Sequence, residues 1–378
     1  MPGKTQEAIY AELDLALSWS ETELPQVDRT KHVHALHPYL GKFVPQLVET
    51  FLRRSFRAGN TVYDPFVGSG TTLVEASAFG ADAIGCDISA FNVLLSQVKT
   101  RSYSLPTVEL SLKGALEETR RSTVAPNRCD STPWLRDWYA ERALAELLAY
   151  RTAINRLDGI VADVGRVILS RSARSARSTT HFDLDFPRVP QVGEYHCHKH
   201  KRTCRPVGEA MKFLRRYTFD TIRRLREFSE LRSACEVVVL HDDASTVRLP
   251  WQPTGIITSP PYPGLIDYHE QHRYAYELLG LVDRRHEELG AAARGRSRAA
   301  YRQYVDGMVS VFANACAQMP TDAPVVIVVN DSQRLYPEIL ARSGLTLDER
   351  LKRHVNRRTG RRAGEFFEDV LLCHVAGR

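Results

Sequence analysis

The stretch from Asn60 to Asp87 constrains the fold of this chain more than any other. A short apolar strand runs into Asp64-Pro65-Phe66-Val67-Gly68-Ser69-Gly70-Thr71-Thr72, and residues 73–79 have the apolar pattern of a helix. Two glycines one residue apart allow a sharp strand-to-helix turn and let backbone N–H groups approach a ligand closely. A second strand, 83–86, ends in Asp87, 19 residues after Gly68. The stretch therefore predicts a βαβ unit of an open α/β sheet.

The turn also narrows the class of ligand. It lacks the Gly-Lys-Ser/Thr ending of a triphosphate-binding loop, and it is not Gly-x-Gly-x-x-Gly. An acidic residue about 20 positions after such a turn is placed to meet ribose hydroxyls, and Asp87 is near that offset. A phosphate-free nucleoside cofactor, bound through its adenosine part, fits these features best.

A second feature is the sequence Ser259-Pro260-Pro261-Tyr262, which directly follows an apolar strand predicted over residues 254–259. The prolines fix φ and remove two backbone donors, so the Ser259 hydroxyl and the Pro260 carbonyl are left as rigid acceptors. An exocyclic amino group offers two donors to match them, and Tyr262 can stack on the ring that carries it. The alternative is a proline-rich turn without chemistry.

Three further apolar runs extend the predicted sheet: 236–240, 324–329 and 366–373. The first ends in His241-Asp242-Asp243-Ala244, where a carboxylate could accept a hydrogen bond from an adenine amine. An Asx turn or a helix cap would explain these aspartates equally well.

Length and composition predict a soluble cytoplasmic protein. The 378 residues, 43% of them hydrophobic, are enough for a catalytic domain with an insertion. No run approaches the roughly 18 apolar residues of a membrane span, and the first residues lack the apolar core of a signal peptide. The odd number of seven scattered cysteines fits a reducing compartment.

The positive charge of the chain is concentrated in one region. Residues 171–232 contain 15 Lys and Arg against 7 Asp and Glu, while the whole chain has a net charge of only +6. Such a surplus is typical of a phosphate-binding surface, although charge runs are often only solvated faces. We expect DNA contacts from this region and from a second basic stretch; the candidates are Arg171, Arg174, Arg177, Lys199, Lys201, Arg202, Arg357 and Arg358.

A cluster of zinc-ligand residue types lies in the same region: His196, Cys197, His198, His200 and Cys204. Its spacing matches none of the common closed zinc sites, and no second ligand pair follows at a loop's length. The sequence thus favours a basic, histidine-containing loop that faces DNA, with no metal, over a structural zinc site.

Taken together, these motifs resemble those of the amino-methylating DNA methyltransferases. The resemblance rests on Asp64-Pro65-Phe66-x-Gly68-Ser69-Gly70-Thr71, on Asp87, and on Ser259 to Tyr262, which matches the Ser-Pro-Pro-Tyr motif of the cytosine-N4 type. A further match, His37-Pro38-Tyr39-x-Gly41-Lys42-Phe43, is similar to the segment that closes over the cofactor in that family.

The resemblance implies a fold, a cofactor and a set of roles. The fold is a mostly parallel seven-stranded Rossmann-like sheet with an antiparallel last strand, here carrying a largely helical basic insertion. The cofactor is S-adenosyl-L-methionine, and catalysis is assigned to Ser259, Pro260, Pro261 and Tyr262. Asp64, Gly68, Gly70 and Thr71 would hold its methionine end, Asp87 its ribose and Asp243 its adenine. The full set of implied cofactor-binding residues is His37, Tyr39, Lys42, Phe43, Asp64, Phe66, Gly68, Ser69, Gly70, Thr71, Thr72, Asp87, Ile88, Asp243 and Ala244.

The predicted domains are a lead-in over 1–30, a catalytic domain over 31–100 and 235–378, and an inserted DNA-recognition region over 101–234. The insertion lies before the third strand, which departs from the family arrangement called alpha that the motif order otherwise resembles. The expected reaction is methyl transfer to the N4 amine of cytosine in duplex DNA after base flipping. A separately encoded restriction endonuclease is the expected protein partner. The alternatives are adenine-N6 methylation, RNA guanine-N2 methylation, and a non-catalytic DNA-binding protein.

Overall fold

The computed structural model describes residues 15–41, 44–122, 131–179, 189–197, 200–355 and 366–377. Its centre is a seven-stranded sheet with the strand order β5-β2-β1-β6-β7-β9-β8. The strands are β1 (Thr61–Asp64), β2 (Asp82–Asp87), β5 (Val237–His241), β6 (Gly255–Thr258), β7 (Pro324–Val329), β8 (Leu345–Val355) and β9 (Phe366–Val375). Two short strands, β3 (Tyr195–Cys197) and β4 (Arg202–Cys204), form a separate hairpin.

The strand directions confirm the predicted fold class. β5, β2, β1, β6 and β7 pair in parallel, and β9 pairs antiparallel with both β7 and β8. The apolar run 324–329 forms β7 over the predicted residues. Sequence patterns alone did not locate β8, because its sequence is mostly charged and most of its side chains are at least partly exposed at the edge of the sheet.

The described α-helices lie before the first strand, between the strands or in the insertion. They are α1 (Gln26–Arg29), α2 (Pro45–Ser55), α3 (Thr71–Phe79), α4 (Ala90–Thr100), α5 (Leu105–Arg121), α6 (Pro133–Trp138), α7 (Glu141–Ile154), α8 (Gly159–Ala176), α9 (Met211–Ser229), α10 (Tyr268–Gln271), α11 (Arg273–Leu279), α12 (Arg298–Ala317) and α13 (Tyr336–Ser343). One of the four short 3-10 helices within the described residues, His32–Ala35, packs against α9.

Helices cover both faces of the sheet, as expected for alternating strands and helices. On one face, α2 and α3 pack on strand residues such as Val62 and Ile257. On the other face, α12 and α13 pack on Tyr63 and Ile327. The central strands are therefore buried on both sides, which fixes the position of their carboxyl ends.

The helices of the predicted insertion share an apolar core with the catalytic part of the chain. Side chains of α5 to α9 pack together with Phe91 and Leu95 of α4 and with Tyr274 and Leu278 of α11. The inserted helices thus lie directly against the helix that follows β2. No described helix combines the length and the apolar character needed to cross a bilayer.

Candidate active site

A cavity enclosing about 860 Å³ of empty space, part of it open to solvent, lies at the carboxyl ends of the central parallel strands. This is the edge at which open α/β sheets bind ligands. The four strand ends that line it contribute residues 65–69 after β1, 87–89 after β2, 242–244 after β5, and Ser259 and Pro261 after β6. The cavity therefore joins the glycine-rich turn to the Ser-Pro-Pro-Tyr sequence.

The turn after β1 depends on its two glycines. Gly68 has φ +49° and Gly70 has φ +78°, and α3 begins directly after Gly70. A Cβ atom on Gly70 would lie 3.2 Å from Ser96 Cα and 2.9 Å from Ser96 Oγ, so a side chain there would be both strained and crowded. This geometry points the N-terminus of α3 into the cavity.

The first residues of α3 offer unused hydrogen-bonding groups to a ligand. Ser69 Oγ and Thr71 Oγ1 are buried, and neither has a hydrogen-bond partner in the described part of the chain. Both residues line the cavity, whereas Thr72 is fully buried and donates to the Ile257 carbonyl. A helix N-terminus with such donors favours an anionic group such as a carboxylate.

Asp64 is the buried carboxylate at the end of β1. Its Oδ1 accepts hydrogen bonds from Thr258 Oγ1 at 2.7 Å and from the Phe66 backbone N–H at 3.1 Å. Burial raises the pKa of Asp64 to about 6, although these hydrogen bonds oppose the rise. Asp64 is not one of the residues that line the cavity, and it stabilises the turn through its hydrogen bond from Phe66 N–H. Phe66 itself lines the cavity.

Asp87 at the end of β2 connects the turn to α4. Its carboxylate accepts hydrogen bonds from Gly68 N at 2.9 Å, Ser89 N at 2.8 Å and Asn92 Nδ2 at 3.0 Å. A carboxylate has about four acceptor positions, so one remains for a ligand hydroxyl. Burial raises the pKa of Asp87 despite these bonds. Ile88 lies beside it in the cavity wall.

The sequence left two roles open for the aspartates after β5: a contact with adenine, or an Asx turn. Asp243 Oδ1 accepts a hydrogen bond from Ser245 N at 2.8 Å, as in an Asx turn. Asp243 and Ala244 also line the cavity. The adenine contact of Asp243 stays a prediction.

Tyr39 forms part of the cavity wall opposite the sheet. Its ring stacks on Tyr268, with centroids 5.7 Å apart, and on His272, with centroids 5.3 Å apart. Burial raises its pKa well above the ordinary value, so Tyr39 is a neutral phenol. His37 lies outside the cavity wall, where its Nε2 is 3.1 Å from Ser170 Oγ of α8. Lys42 and Phe43 lie outside the described residues.

Hydrogen bonds hold two residues of the Ser-Pro-Pro-Tyr segment, Ser259 and Pro261, in place. The Ser259 hydroxyl donates to the Val328 carbonyl of β7 at 3.1 Å, which leaves its oxygen lone pairs for another donor. The Pro261 carbonyl accepts from Tyr304 Oη at 3.0 Å. No hydrogen bond among the described residues ends on the Pro260 carbonyl; Pro260 is buried and is not one of the residues that line the cavity, so its role as an acceptor stays a prediction.

Tyr262 is held by a buried ion pair of the last two strands. Its hydroxyl donates to Glu368 Oε1 at 2.9 Å, and Glu368 Oε2 lies 3.4 Å from Arg353 Nη1. Glu368 and Arg353 are 9% and 4% exposed. Their contact fixes the Tyr262 ring just beyond Pro261. Arg353, in β8, thus serves an internal ion pair.

The predicted DNA-contacting arginines of α8 are mostly inside the protein. Arg171 Nη1 lies 2.6 Å from Asp220 Oδ2, and Arg174 and Arg177 are only 9% and 6% exposed. The Arg177 guanidinium lies 5.6 Å from the Trp138 ring centroid. This placement argues against direct phosphate contact by Arg174 and Arg177 in this conformation.

Two other predicted DNA-contacting residues are at the surface. Lys201 and Arg202 are exposed at the turn of the β3–β4 hairpin, and no described acidic side chain forms an ion pair with either. Lys199, Arg357 and Arg358 lie outside the described residues.

Several residues of the cavity were not predicted from the sequence. Glu288 accepts from Tyr268 N at 2.8 Å, and its other oxygen lies 2.9 Å from His269 Nδ1. Tyr268, His269 and Glu288 line the cavity together with Asn92. They come from loops and short helices without a sequence motif, so only the fold brings them to the site.

Comparison with known proteins identifies the family of the chain. Residues 11–97 match a family profile described as DNA methylase. The Type II methyltransferase M.MjaII of Methanocaldococcus jannaschii is 35% identical over 92% of this chain and 81% of that protein. The chain belongs to the DNA amino-methyltransferases. M.MvaI, a Type II methyltransferase of Kocuria varians, is 37% identical over 70 residues, which are 18% of this chain and 15% of that protein.

Solved structures similar to this DNA amino-methyltransferase are remote. TrmN from Thermus thermophilus has a TM-score of 0.35 and 12% identity, over 89% of this chain and 50% of that one. The rRNA methyltransferase aviRa from Streptomyces viridochromogenes has a TM-score of 0.37 and 13% identity, over 95% and 97%. Neither likeness supports an argument about this chain, and the fold assignment rests on its own strand order.

The cofactor of this DNA amino-methyltransferase is S-adenosyl-L-methionine, as predicted, and the cavity fits it. The buried hydroxyls of Ser69 and Thr71 at the N-terminus of α3 match a carboxylate, as the amino-acid part of the cofactor carries. The remaining acceptor position of Asp87 suits a ribose hydroxyl. The other residues that would hold the cofactor are Tyr39, Phe66 and Asp243.

Proposed function

We propose that the protein methylates the N4 amine of cytosine in duplex DNA, with the target base flipped out of the helix. The observation that carries the proposal is the Ser259 hydroxyl, which lines the cavity and donates to Val328 O, so that its oxygen can accept a hydrogen bond from another donor. With the Pro260 carbonyl it forms a pair of acceptors, and an exocyclic amine has two N–H donors to match. A base inside a duplex cannot reach such a pocket, which supports base flipping.

The acceptor pair would make an aromatic amine, which is a poor nucleophile, more reactive. The nitrogen lone pair is delocalised into the ring, so attack requires the nitrogen to become more tetrahedral. Hydrogen bonds to Ser259 and Pro260 orient the two N–H bonds and direct the emerging lone pair away from the acceptors. When bound, S-adenosylmethionine supplies a methyl group on a positively charged sulfur. The methyl group would pass to the nitrogen, the cofactor would leave as the neutral thioether, and the amine would release one proton to water.

Side chains around the acceptors support this role. The Tyr262 ring, held through its hydroxyl by Glu368, offers a face for stacking on the target base. The described cavity wall contains no cysteine, in agreement with attack by the base's own nitrogen. Lys201 and Arg202 are the exposed cations that we predict to contact DNA phosphates.

Cytosine-N4 is proposed over adenine-N6 because the motif carries serine. An adenine amine offers the same two donors, so the acceptor pair alone does not distinguish the two bases. The chemical identity of the methylated nucleoside distinguishes them. Association with a restriction endonuclease belongs to the same proposal and rests on the family alone.

The deciding experiment identifies the methylated base. Purified protein is incubated with S-adenosylmethionine and unmethylated duplex DNA, the DNA is digested to nucleosides, and the products are identified by mass spectrometry. N4-methylcytosine is the expected product, whereas N6-methyladenine would keep the mechanism and refute the base assignment. A product found only on RNA would overturn the proposal.

A pair of serine variants tests the mechanism. Ser259→Ala removes one of two transition-state acceptors, so the turnover number should fall about 10²- to 10³-fold while cofactor affinity is unchanged. Ser343→Ala is the matched control, since Ser343 lies outside the cavity and its hydroxyl also donates to a backbone carbonyl, Leu340 O, at 3.2 Å. Normal turnover in Ser259→Ala would remove the catalytic role of the segment.

A further inference from the structure

The β3–β4 hairpin brings together three side chains of metal-ligand type. The ligand atoms of Cys197, His200 and Cys204 all lie within 4.8 Å of one another. The two cysteines are 2% and 5% exposed, while His200 is exposed. We infer that these three side chains bind a zinc ion that holds the hairpin in its fold.

The distances are close to those of an occupied site. In a tetrahedral zinc site with Zn–S about 2.3 Å and Zn–N about 2.0 Å, neighbouring ligand atoms are about 3.5 to 3.8 Å apart. His200 Nδ1 lies 3.3 Å from Cys204 Sγ. The His200 backbone N–H also donates to Cys197 Sγ at 3.3 Å. Only small side-chain movements are needed to admit the ion.

Apolar packing does not account for the burial of the two cysteines. Each strand of the hairpin has three residues, with Tyr195 opposite Cys204 and Cys197 opposite Arg202. Among the described residues, neither cysteine belongs to any of the three apolar cores. A two-stranded hairpin of this size is at best marginally stable by itself in water, so it needs an additional link.

The chemistry of the ligands selects zinc. Thiolates and an imidazole suit zinc and not magnesium or calcium, which prefer oxygen ligands. Two thiolates balance the charge of Zn²⁺, and binding releases the two thiol protons. In the described part of the chain no fourth side chain of ligand type joins the group, so one coordination position is open to water or to another ligand.

A second group of possible ligands does not support a metal site. His32, His34 and Glu75 also lie close together. However, Lys31 Nζ lies 3.1 Å from Glu75 Oε2, and His34 Nε2 lies 2.6 Å from Glu75 Oε1. The carboxylate is thus neutralised by a lysine and bonded to a histidine, which leaves no role for a cation.

The zinc site gives a physical reason for the placement of two exposed cations. Lys201, with φ +52°, and Arg202 directly follow His200 in the turn. A metal bound on both sides of this turn would fix the direction in which the two cations point. This departs from the expectation that the cluster is a metal-free loop, because the fold brings Cys197 and Cys204 to the same side of the hairpin.

The first test measures zinc in the full-length protein purified without chelators. Elemental analysis should find one zinc per chain, and the content should fall to background in Cys197→Ser and Cys204→Ser. Cys235→Ser is the control, because Cys235 is half-buried, contacts Ser77 and lies outside the group. Zinc retained in Cys204→Ser would mean an adventitious ion and would overturn the inference.

The second test does not depend on the variants folding. Cobalt(II) added to the metal-depleted wild-type protein should give the visible absorption of a tetrahedral ion and a thiolate-to-metal charge-transfer band, both removed by zinc. Absence of both signals would overturn the inference. So would a Cys197–Cys204 disulfide, detected as a cross-linked peptide by mass spectrometry under non-reducing conditions.

Discussion

The buried carboxylate of Asp64 makes the stability of the protein depend on pH in a predictable direction. Its pKa is about 6 in the folded protein, against an ordinary value of 3.8. Since a tenfold change in an ionisation equilibrium corresponds to about 1.4 kcal/mol, ionised Asp64 costs the folded state about 3 kcal/mol relative to the protonated form. Between pH 3.8 and 6 the folded chain holds this proton more tightly than the unfolded chain, so the contribution of Asp64 to stability falls as pH rises.

Substitution of Asp64 by asparagine removes the titration and keeps the shape. The side-chain amide oxygen in the Asp64→Asn variant can still accept from Thr258 and from Phe66 N–H, so the turn should remain intact. The stability of Asp64→Asn relative to wild type should therefore increase by up to about 3 kcal/mol as pH rises from about 4 to above 6. The measurement is urea unfolding of the ligand-free proteins, followed by tryptophan fluorescence at several pH values in this range.

A substitution at the surface controls for the loss of one charge. Asp28 lies on α1 with an exposed carboxylate, so Asp28→Asn removes a solvated carboxylate instead of a buried one. A stability difference between Asp64→Asn and wild type that stays constant across this pH range would refute the reasoning. The carboxylate would then be solvated or compensated by a group that the hydrogen bonds above do not include.

Two further predictions concern ligand binding. Asp87→Ala removes the acceptor of Gly68 N–H and Asn92, so the Kd for S-adenosylmethionine should rise by about one to two orders of magnitude, as measured by calorimetry; an unchanged Kd would exclude the ribose role. Tyr262→Phe keeps the ring and should retain most activity, whereas Tyr262→Ala should raise the KM for DNA about 5- to 150-fold, which corresponds to about 1 to 3 kcal/mol of lost stacking. Equal losses in both variants would assign the effect to the hydroxyl and its bond to Glu368.

Much of the fold could be predicted from the sequence, because the central strands are apolar and are followed by turns with recognisable motifs. The run 324–329 became β7 without a change of bounds, and the turn between β1 and α3 has the positive φ angles that its glycines predicted. The edge strand β8 was missed because an edge strand needs few apolar residues, and its sequence is dominated by charge.

The site was predictable where chemistry is local to a motif. Ser69, Thr71 and Asp87 reach the cavity because they belong to one βαβ unit. Glu288 was not predictable, since its contacts to Tyr268 and His269 depend on loops that carry no periodic signal. Arg174 and Arg177, predicted to contact DNA, are buried in this structure, because charge in a sequence does not reveal which face of a helix is buried.

The shared core of the inserted helices and α4 limits how this enzyme can be re-engineered. Because α5 to α9 cover Phe91 and Leu95, removing residues 101–234 would expose a large apolar surface next to the cofactor pocket. The inserted region therefore could not be exchanged between relatives as a separate unit. Substitutions meant to change its surface would have to be made residue by residue on the outer helix faces, with the inner faces left as they are.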